Sequence, residues 1–261
     1  MGLRGEGRAG HRVAGARGGA AAGRRTDHRA AAGRAGAADA AAALHRAGRA
    51  RARAGGGAAG RVSTILAIDS ASDRFAVGVD RDGERVIVVA DAERTHTTGL
   101  LAAIERLLRD ERPAAILVVT GPGSYAGLRV GIATAQGLAL ATGAPLHGVR
   151  TFEAIALAAD GGGTVTAIHP AGRGEWGMQR WEGGAPAGPI ELTASLPEGE
   201  RLAGEGAGAL GGTEVGPGER VRALLEALAP AARRGELAAG AEPFYLREPA
   251  ITISRRQRAA G

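Results

Sequence analysis

Two short stretches of the chain combine polar residues and glycines in ways that suit phosphate chemistry. The first is Ile68-Asp69-Ser70, which follows a short apolar run. Backbone N–H groups of such a turn can hold a phosphate, and an Asp carboxylate can hold water on a hard cation. Asp and Ser are also ordinary turn residues, so a purely structural turn is the alternative interpretation.

The second stretch is Gly121-Pro-Gly-Ser-Tyr-Ala-Gly-Leu-Arg129, between an apolar run and a helical pattern. A helix start favours anions through its free N–H groups and its dipole. The stretch lacks the Gly-Lys-Ser/Thr end of a P-loop, and its Gly spacing does not fit a dinucleotide fingerprint. A tight turn that needs glycine is the alternative for Gly121 and Gly123. Ser124 resembles a nucleophile elbow, but no acid–base partners accompany it, which disfavours a hydrolase.

A row of small residues continues along the helix that follows this turn. Gly127, Gly131, Ala135 and Ala139 recur at steps of four, and a second row contains Ala133, Gly137 and Ala141. Small residues on one ridge let another element approach closely. The spacing alone leaves open whether that element is the protein's own sheet or a helix of another chain.

The elements that must position these residues follow the order β-β-β-α-β-α-β-α, which predicts a mixed sheet flanked by helices, as in ribonuclease-H-like proteins. The corresponding ranges are 64–68, 75–79, 84–90, 97–109, 115–120, 128–142, 146–149 and 151–159, with Thr151 as a helix N-cap. After the glycines at 161–163 the pattern weakens to strands near 164–168 and 176–181 and a helix near 220–228. We therefore predict a first lobe over 62–160, a smaller second lobe over 161–248 and a basic end over 249–261.

Residues 1–61 do not have the composition of a folded domain. Residues 1–60 carry 12 Arg against three acidic residues, a formal charge of +9 in a chain of +6, so the remainder carries −3. Such a segment buries too little apolar surface to order. A disordered basic arm, a transit peptide and a start codon assigned too far upstream are the three interpretations. The pI near 11 belongs to this tail and is no sign of nucleic-acid binding by the folded part.

Several classes of site are disfavoured by residue type. The chain has no Cys, so thiolate metal sites and disulfides are excluded. No apolar stretch is long enough to span a membrane, which favours a cytoplasmic protein. The six His include no His-x-x-x-His pair, so no metal site is expected.

Taken together, the motifs resemble those of the TsaB family. The matching stretches are Ile65 to Ser72, Thr95-His96 before an apolar helix, Gly121 to Ile132 with Gln136 to Ala139, 148–153, 204–207 and 243–247. The resemblance covers roughly residues 64–248, densely up to about 159, and does not cover the tail.

The resemblance implies a two-lobed actin-like (ASKHA) fold and a non-catalytic role. TsaB-like proteins are relatives of TsaD, which transfers threonylcarbamoyl to the tRNA adenosine beside the anticodon. The expected partners are TsaD in a heterodimer and the ATP-binding TsaE, with tRNA contacted indirectly, a weak homodimer as a further state, and no cofactor of its own beyond ATP brought by TsaE. By this resemblance Asp69, Ser70, Gly121, Gly123 and Ser124 form a vestigial phosphate site. The expected partner interface comprises His96, Leu100, Gly127, Arg129, Gly131, Ala135 and Ala139.

One stretch departs from the family pattern. His169-Pro-Ala-Gly-Arg-Gly-Glu175 has a His where the family usually has an acidic residue, which disfavours a nucleotide role for the second lobe. The main alternative function is an active ASKHA-type ATPase or small-molecule kinase that uses Asp69 and the 121–127 loop. A peptidase is disfavoured because neither a zinc pair nor a nucleophile–base set is evident.

Overall fold

The computed structural model of the protein describes residues 63–92, 96–159 and 162–247, without the side chains of residues 96–98. The predictions for the tail over 1–61 and the basic end over 249–261 lie outside these residues. The described part is a mixed α/β structure with two sheets, each flanked by helices. The predicted fold class is confirmed.

The first sheet has the strand order β3-β2-β1-β4-β5. Its strands are β1 (Thr64–Asp69), β2 (Arg74–Arg81), β3 (Glu84–Asp91), β4 (Ala115–Val119) and β5 (Leu146–Val149). The first three strands pair antiparallel, whereas β4 joins β1 and β5 joins β4 in parallel. The first three strands thus form an antiparallel meander. All six residues of β1 are buried, because helices cover both faces of this sheet.

The second sheet has the order β11-β10-β6-β7-β8, and β9 also pairs with β7. Its strands are β6 (Thr164–Gly172), β7 (Glu175–Glu182), β8 (Ala185–Pro186), β9 (Glu191–Thr193), β10 (Leu202–Gly204) and β11 (Thr213–Glu214). The β6–β7 hairpin is its longest pairing. A separate apolar cluster around Phe152, Val165 and Trp181 supports this sheet.

Four α-helices complete the described part of the chain: α1 (His96–Leu108), α2 (Tyr125–Thr142), α3 (Thr151–Ala158) and α4 (Pro217–Arg233). α2 begins three residues before the predicted Leu128, because Ser124 is its N-cap and Ser124 Oγ accepts from Gly127 N at 3.4 Å. The predicted N-cap Thr151 is wrong: Arg150 occupies that position, and the Thr151 hydroxyl instead donates to Pro122 O at 2.6 Å. None of the described helices has the length and apolar content needed to cross a bilayer.

α4 follows the second sheet in the sequence but packs on the first sheet. A Cβ at Gly78 of β2 would lie 2.6 Å from Val221 Cγ1, so the missing side chain lets the helix approach. Phe75 lies on the opposite face of β2, where a Cβ at Gly99 of α1 would lie 3.6 Å from its ring. α1 and α4 therefore cover opposite faces, and the main apolar cluster joins Leu100 to Leu224 through the sheet.

Candidate functional site

The turn after β1 and the turn before α2 pack directly against each other. Ser70 Oγ donates to Gly127 O at 2.9 Å, and Ser124 N donates to Ala71 O at 2.6 Å. Asp69 is fully buried, and its Oδ1 accepts from Ala71 N at 2.9 Å. The structure thus brings together the residues that the sequence singled out as a phosphate site.

The glycines of the second turn are needed for this close packing. A Cβ at Gly123 would lie 2.3 Å from Ala71 O, and one at Gly127 would lie 2.0 Å from Ser70 O. At Gly121 the peptide bond to Pro122 is cis, φ is +108°, and a Cβ would lie 2.3 Å from Phe244 O. Neighbouring backbone occupies the space that these glycines leave, so their described contacts are with the protein itself.

A buried arginine from α4 neutralises the acidic residue of the site. Arg220 Nε donates to Asp69 Oδ2 at 2.6 Å, and both side chains are fully buried. The same guanidinium donates to Ser72 Oγ at 2.8 Å and to Val215 O at 3.3 Å. A cation bound to Asp69 would have to displace Arg220, which is held by three acceptors.

The second lobe adds two groups to this cluster. Ser72 Oγ donates to Glu205, whose Oε2 lies 3.6 Å from Arg220 Nη1 and 3.7 Å from His169 Nε2. His169 Nδ1 lies 3.0 Å from Pro170 O, an arrangement in which Nδ1 carries the proton. Burial, and next the charge of Arg220, lowers the pKa of His169. Five polar groups from both lobes therefore form one buried network, here called the interlobe cluster.

The sequence prediction missed Arg220 and Glu205. Arg220 is 151 positions from Asp69, so local spacing could not connect them. A signal was nevertheless present, because Arg220 is in helical register with the apolar Leu224 and Leu228 of α4. An arginine on the apolar face of a helix requires a buried acceptor.

The structure corrects the predicted orientation of the small-residue ridge of α2. Gly127, Gly131 and Ala135 are buried against the protein's own first lobe, and a Cβ at Gly131 would lie 2.0 Å from Ser70 Oγ. Ala139 also packs on this core, and Leu100 of α1 is 1% exposed. Leu100, Gly127, Gly131 and Ala135 are buried and therefore contribute no open surface for a partner, whereas Ala139 is half-buried. Arg129 is exposed, and the side chain of His96 lies outside the described residues.

The second row of small residues faces solvent. Ala133, Gly137 and Ala141 are exposed, and Leu140 beside them is 89% exposed. Between this row and α1 lies an open apolar groove, here called the α1–α2 groove. It is lined by Leu101, Tyr125, Ala126, Arg129, Val130, Ala133, Thr134, Gly137 and Leu138. Small residues at its base let a partner helix approach closely.

Comparisons with known proteins agree with this architecture. Residues 87–179 match the family model described as TsaD: tRNA N6-adenosine threonylcarbamoyltransferase. The tRNA threonylcarbamoyladenosine biosynthesis protein TsaB of Haemophilus influenzae is 34% identical over 101 residues, which are 37% of this chain and 43% of that protein. The protein of the same name in Escherichia coli is 35% identical over 100 residues, which are 36% of this chain and 43% of that protein. The chain thus spans about half the length of these relatives.

A solved structure extends the similarity beyond that half. YeaZ from Pseudomonas aeruginosa, another name for TsaB, is 26% identical with a TM-score of 0.55. The match covers 70% of this chain and 100% of that one. The chain is thus similar to a TsaB protein over 70% of its own length. Its fold is accordingly actin-like, as the resemblance implied.

The described residues contain no group of three or more His, Asp or Glu side chains placed to hold a metal ion. The departure at His169 also has a structural explanation. A neutral imidazole occupies the position in the interlobe cluster where an acidic side chain would add another negative charge near Asp69 and Glu205. Phosphate binding at these residues remains a prediction. In the structure, the Asp69 carboxylate is paired with Arg220.

The N-terminus of α3 in the TsaB-like fold contains a carboxyl group that should titrate near neutral pH. Thr151 N donates to Gly121 O at 2.9 Å, which ties this helix to the site. Burial raises the pKa of Glu153 to about 7, against the opposing effects of the Arg150 N–H and the Arg150 charge.

Because the folded protein binds this proton more tightly than the unfolded chain, Glu153 stabilises the fold at low pH, and that stabilisation is lost as the pH rises towards about 7. We expect Glu153→Gln to be relatively more stable than the parent at about pH 8 than at about pH 5, measured by urea unfolding at both pH values. Glu105→Gln, an exposed carboxylate on α1, is the control and should show no such difference. Parallel behaviour of the two variants would contradict the assignment.

Proposed function

We propose that this protein is a non-catalytic partner and activator of TsaD in forming N6-threonylcarbamoyladenosine in tRNA next to the anticodon. Similar proteins are named for tRNA threonylcarbamoyladenosine biosynthesis, which supports a role in that modification. The exposed α1–α2 groove supports a role as a binding partner. The groove carries the proposal because it is an apolar surface, with small residues at its base, that the described residues leave uncovered.

The interlobe cluster supports the non-catalytic part of the proposal. An actin-like ATPase would use a carboxylate such as that of Asp69 to position a hydrated cation. Here Arg220 already neutralises this carboxylate at 2.6 Å, in a position that excludes solvent. We therefore propose that ATP enters at the level of the assembly through TsaE, that the protein needs no cofactor of its own, and that it acts in the cytoplasm with tRNA.

The groove predicts which substitutions should separate binding from folding. Ala133→Arg places a long charged side chain on the exposed small-residue row without entering the core. We expect it to weaken binding to TsaD from the same organism at least tenfold, which corresponds to about 1.4 kcal/mol. Size-exclusion chromatography with light scattering and titration calorimetry would measure the complex with and without TsaE.

Leu210→Arg is the matched control, because Leu210 is 49% exposed but lies in the second lobe. It should leave the affinity for TsaD unchanged, and both variants should keep the parent melting temperature. If the parent protein and TsaD elute separately even with TsaE, nucleotide and tRNA present, the partner proposal is wrong. The same chromatograms test the weak homodimer, which we propose uses the same groove.

The alternative of an active ATPase or small-molecule kinase makes a contrasting prediction. It requires nucleotide turnover by the isolated protein that Asp69→Ala abolishes. We expect no nucleotide turnover by the parent protein or by Asp69→Ala, because the Asp69 carboxylate is already paired with Arg220. Turnover in the parent protein that disappears in the variant would favour the alternative.

A further inference from the structure

A second concave surface lies between the two lobes, separate from most of the α1–α2 groove. It is bounded by the turn at 122–125, the tip of the β6–β7 hairpin at 170–173 and the chain at 245–247. Its volume of about 600 Å³ falls in the range of small-ligand sites, roughly 300–1,000 Å³. We call it the interlobe cleft.

Both tyrosines of the chain lie in this cleft. Tyr125 and Tyr245 have ring centroids 5.1 Å apart and planes inclined at 47°, and Tyr125 is 44% exposed. Aromatic rings that remain open to a cleft offer stacking surfaces for a flat ligand. In a chain with 3% aromatic residues, this pairing places both hydroxyl-bearing rings at one edge of the same opening.

The charge of the cleft also differs from that of the lobes around it. Arg173 at the hairpin tip lines the cleft, and no ion pair of Arg173 is found among the described residues. Arg129 lines the neighbouring α1–α2 groove, and its Nη1 lies 3.3 Å from the Tyr125 hydroxyl. Arg247 also lines the cleft and pairs with Glu175, and Asp73 is the acidic residue in the cleft lining. The sequence continues from Arg247 into 248–261, which holds three further Arg and one Glu.

We propose that the interlobe cleft binds a nucleotide unit of single-stranded RNA, with the base against the tyrosine pair and the phosphate at Arg173. Aromatic rings combined with unpaired arginines are the chemistry that recognises unstacked bases and their backbone. This inference rests on the proposed function for its choice of RNA, since a free mononucleotide shares the same chemistry. It assigns to this chain a direct contact with tRNA where the resemblance implied an indirect one.

The test uses the full chain without TsaD and a hairpin RNA whose single-stranded loop carries 4-thiouridine. Anisotropy would measure its affinity for the parent, Arg173→Glu and Tyr245→Leu, with Arg222→Glu on α4 as the charge-matched control. We expect each cleft variant to bind about tenfold more weakly, the control to bind within about twofold of the parent, and Arg173→Glu to reduce the salt dependence by about one ion. Crosslinks should map to the peptides containing Tyr125 or Tyr245.

Three outcomes would overturn the proposal: equal weakening by Arg222→Glu, crosslinks confined to residues 1–61, or displacement of the RNA by AMP at equal concentration, which would indicate a mononucleotide site. Melting curves would exclude unfolding of Tyr245→Leu, and Arg173 is an exposed residue at the hairpin tip. Neither residue lines the α1–α2 groove. If the parent protein binds TsaD but not the RNA, the cleft proposal alone is wrong, and if it binds the RNA but not TsaD, the partner proposal alone is wrong.

Discussion

Replacing Arg220 by methionine is expected to lower the free energy of unfolding by about 3–5 kcal/mol, because it leaves the Asp69 carboxylate buried without its cation. The Ser72 hydroxyl and the Val215 carbonyl lose a donor in the same change. Methionine keeps most of the side-chain volume, so the loss reports the charge and its hydrogen bonds and not a cavity. Urea unfolding followed by circular dichroism would measure it.

Arg222→Met is the control for this experiment. Arg222 lies two positions along the same helix with its side chain exposed, and its replacement should change stability by no more than about 0.5 kcal/mol. In an Asp69→Asn background the cost of Arg220→Met should fall, since no unpaired buried charge is then created. Should Arg220→Met prove too unstable to isolate, Arg220→Lys gives the same comparison at a smaller cost. Equal effects at 220 and 222 would mean that the interlobe cluster does not stabilise the fold.

Two glycines of α2 are expected to respond to alanine with opposite signs. Gly127→Ala should destabilise the protein by about 2–3 kcal/mol, because the new Cβ would lie 2.0 Å from Ser70 O and the helix must move away from the turn. Gly137→Ala should stabilise it by about 0.5–1 kcal/mol, because nothing lies within 4 Å and alanine is the better helix former. Thermal and urea unfolding of both variants would measure the difference.

The same two variants test which face of α2 packs against the first lobe. If Gly127→Ala were neutral but abolished binding to TsaD, the ridge from Gly127 would face a partner, as first expected, and not the turn at Ser70. If both alanines stabilise the protein, the close contact between α2 and that turn is absent. A bulky replacement at Gly131 or Ala135 cannot serve as an interface test, since these positions are inside the first lobe.

Much of the first lobe could be predicted from sequence because its signals are local. Phe75, Val77 and Val79 alternate on one face of β2, and Asp82-Gly83 specifies the hairpin that follows, with Asp82 at φ 53°. The ridge of α2 was ambiguous for a physical reason. Small residues permit close approach by any element, and here the element is a turn, held by Ser70, that lies 57 positions away in the sequence.

The length of α4 was underestimated for a different reason. Its start at Pro217, with Gly216 N donating to Glu219 at 3.0 Å, follows known capping rules, but the apolar pattern is clear only from Arg220 to Leu228. The helix then continues past Pro230, whose exposed position tolerates the missing N–H. The interlobe cluster could not be assembled from local patterns, because its five members come from five separate elements and turns.

The return of α4 to the first sheet has a consequence for synthesis on the ribosome. The strands of that sheet are complete at Val149, yet the helix that covers the face around Gly78 begins only at Pro217, about 70 residues later. At roughly 5–20 residues per second, the nascent chain exposes this apolar face for several seconds. The first lobe is therefore the earlier half to be translated but cannot be the first to finish folding, and a chain truncated near residue 160 would retain an uncovered, aggregation-prone sheet.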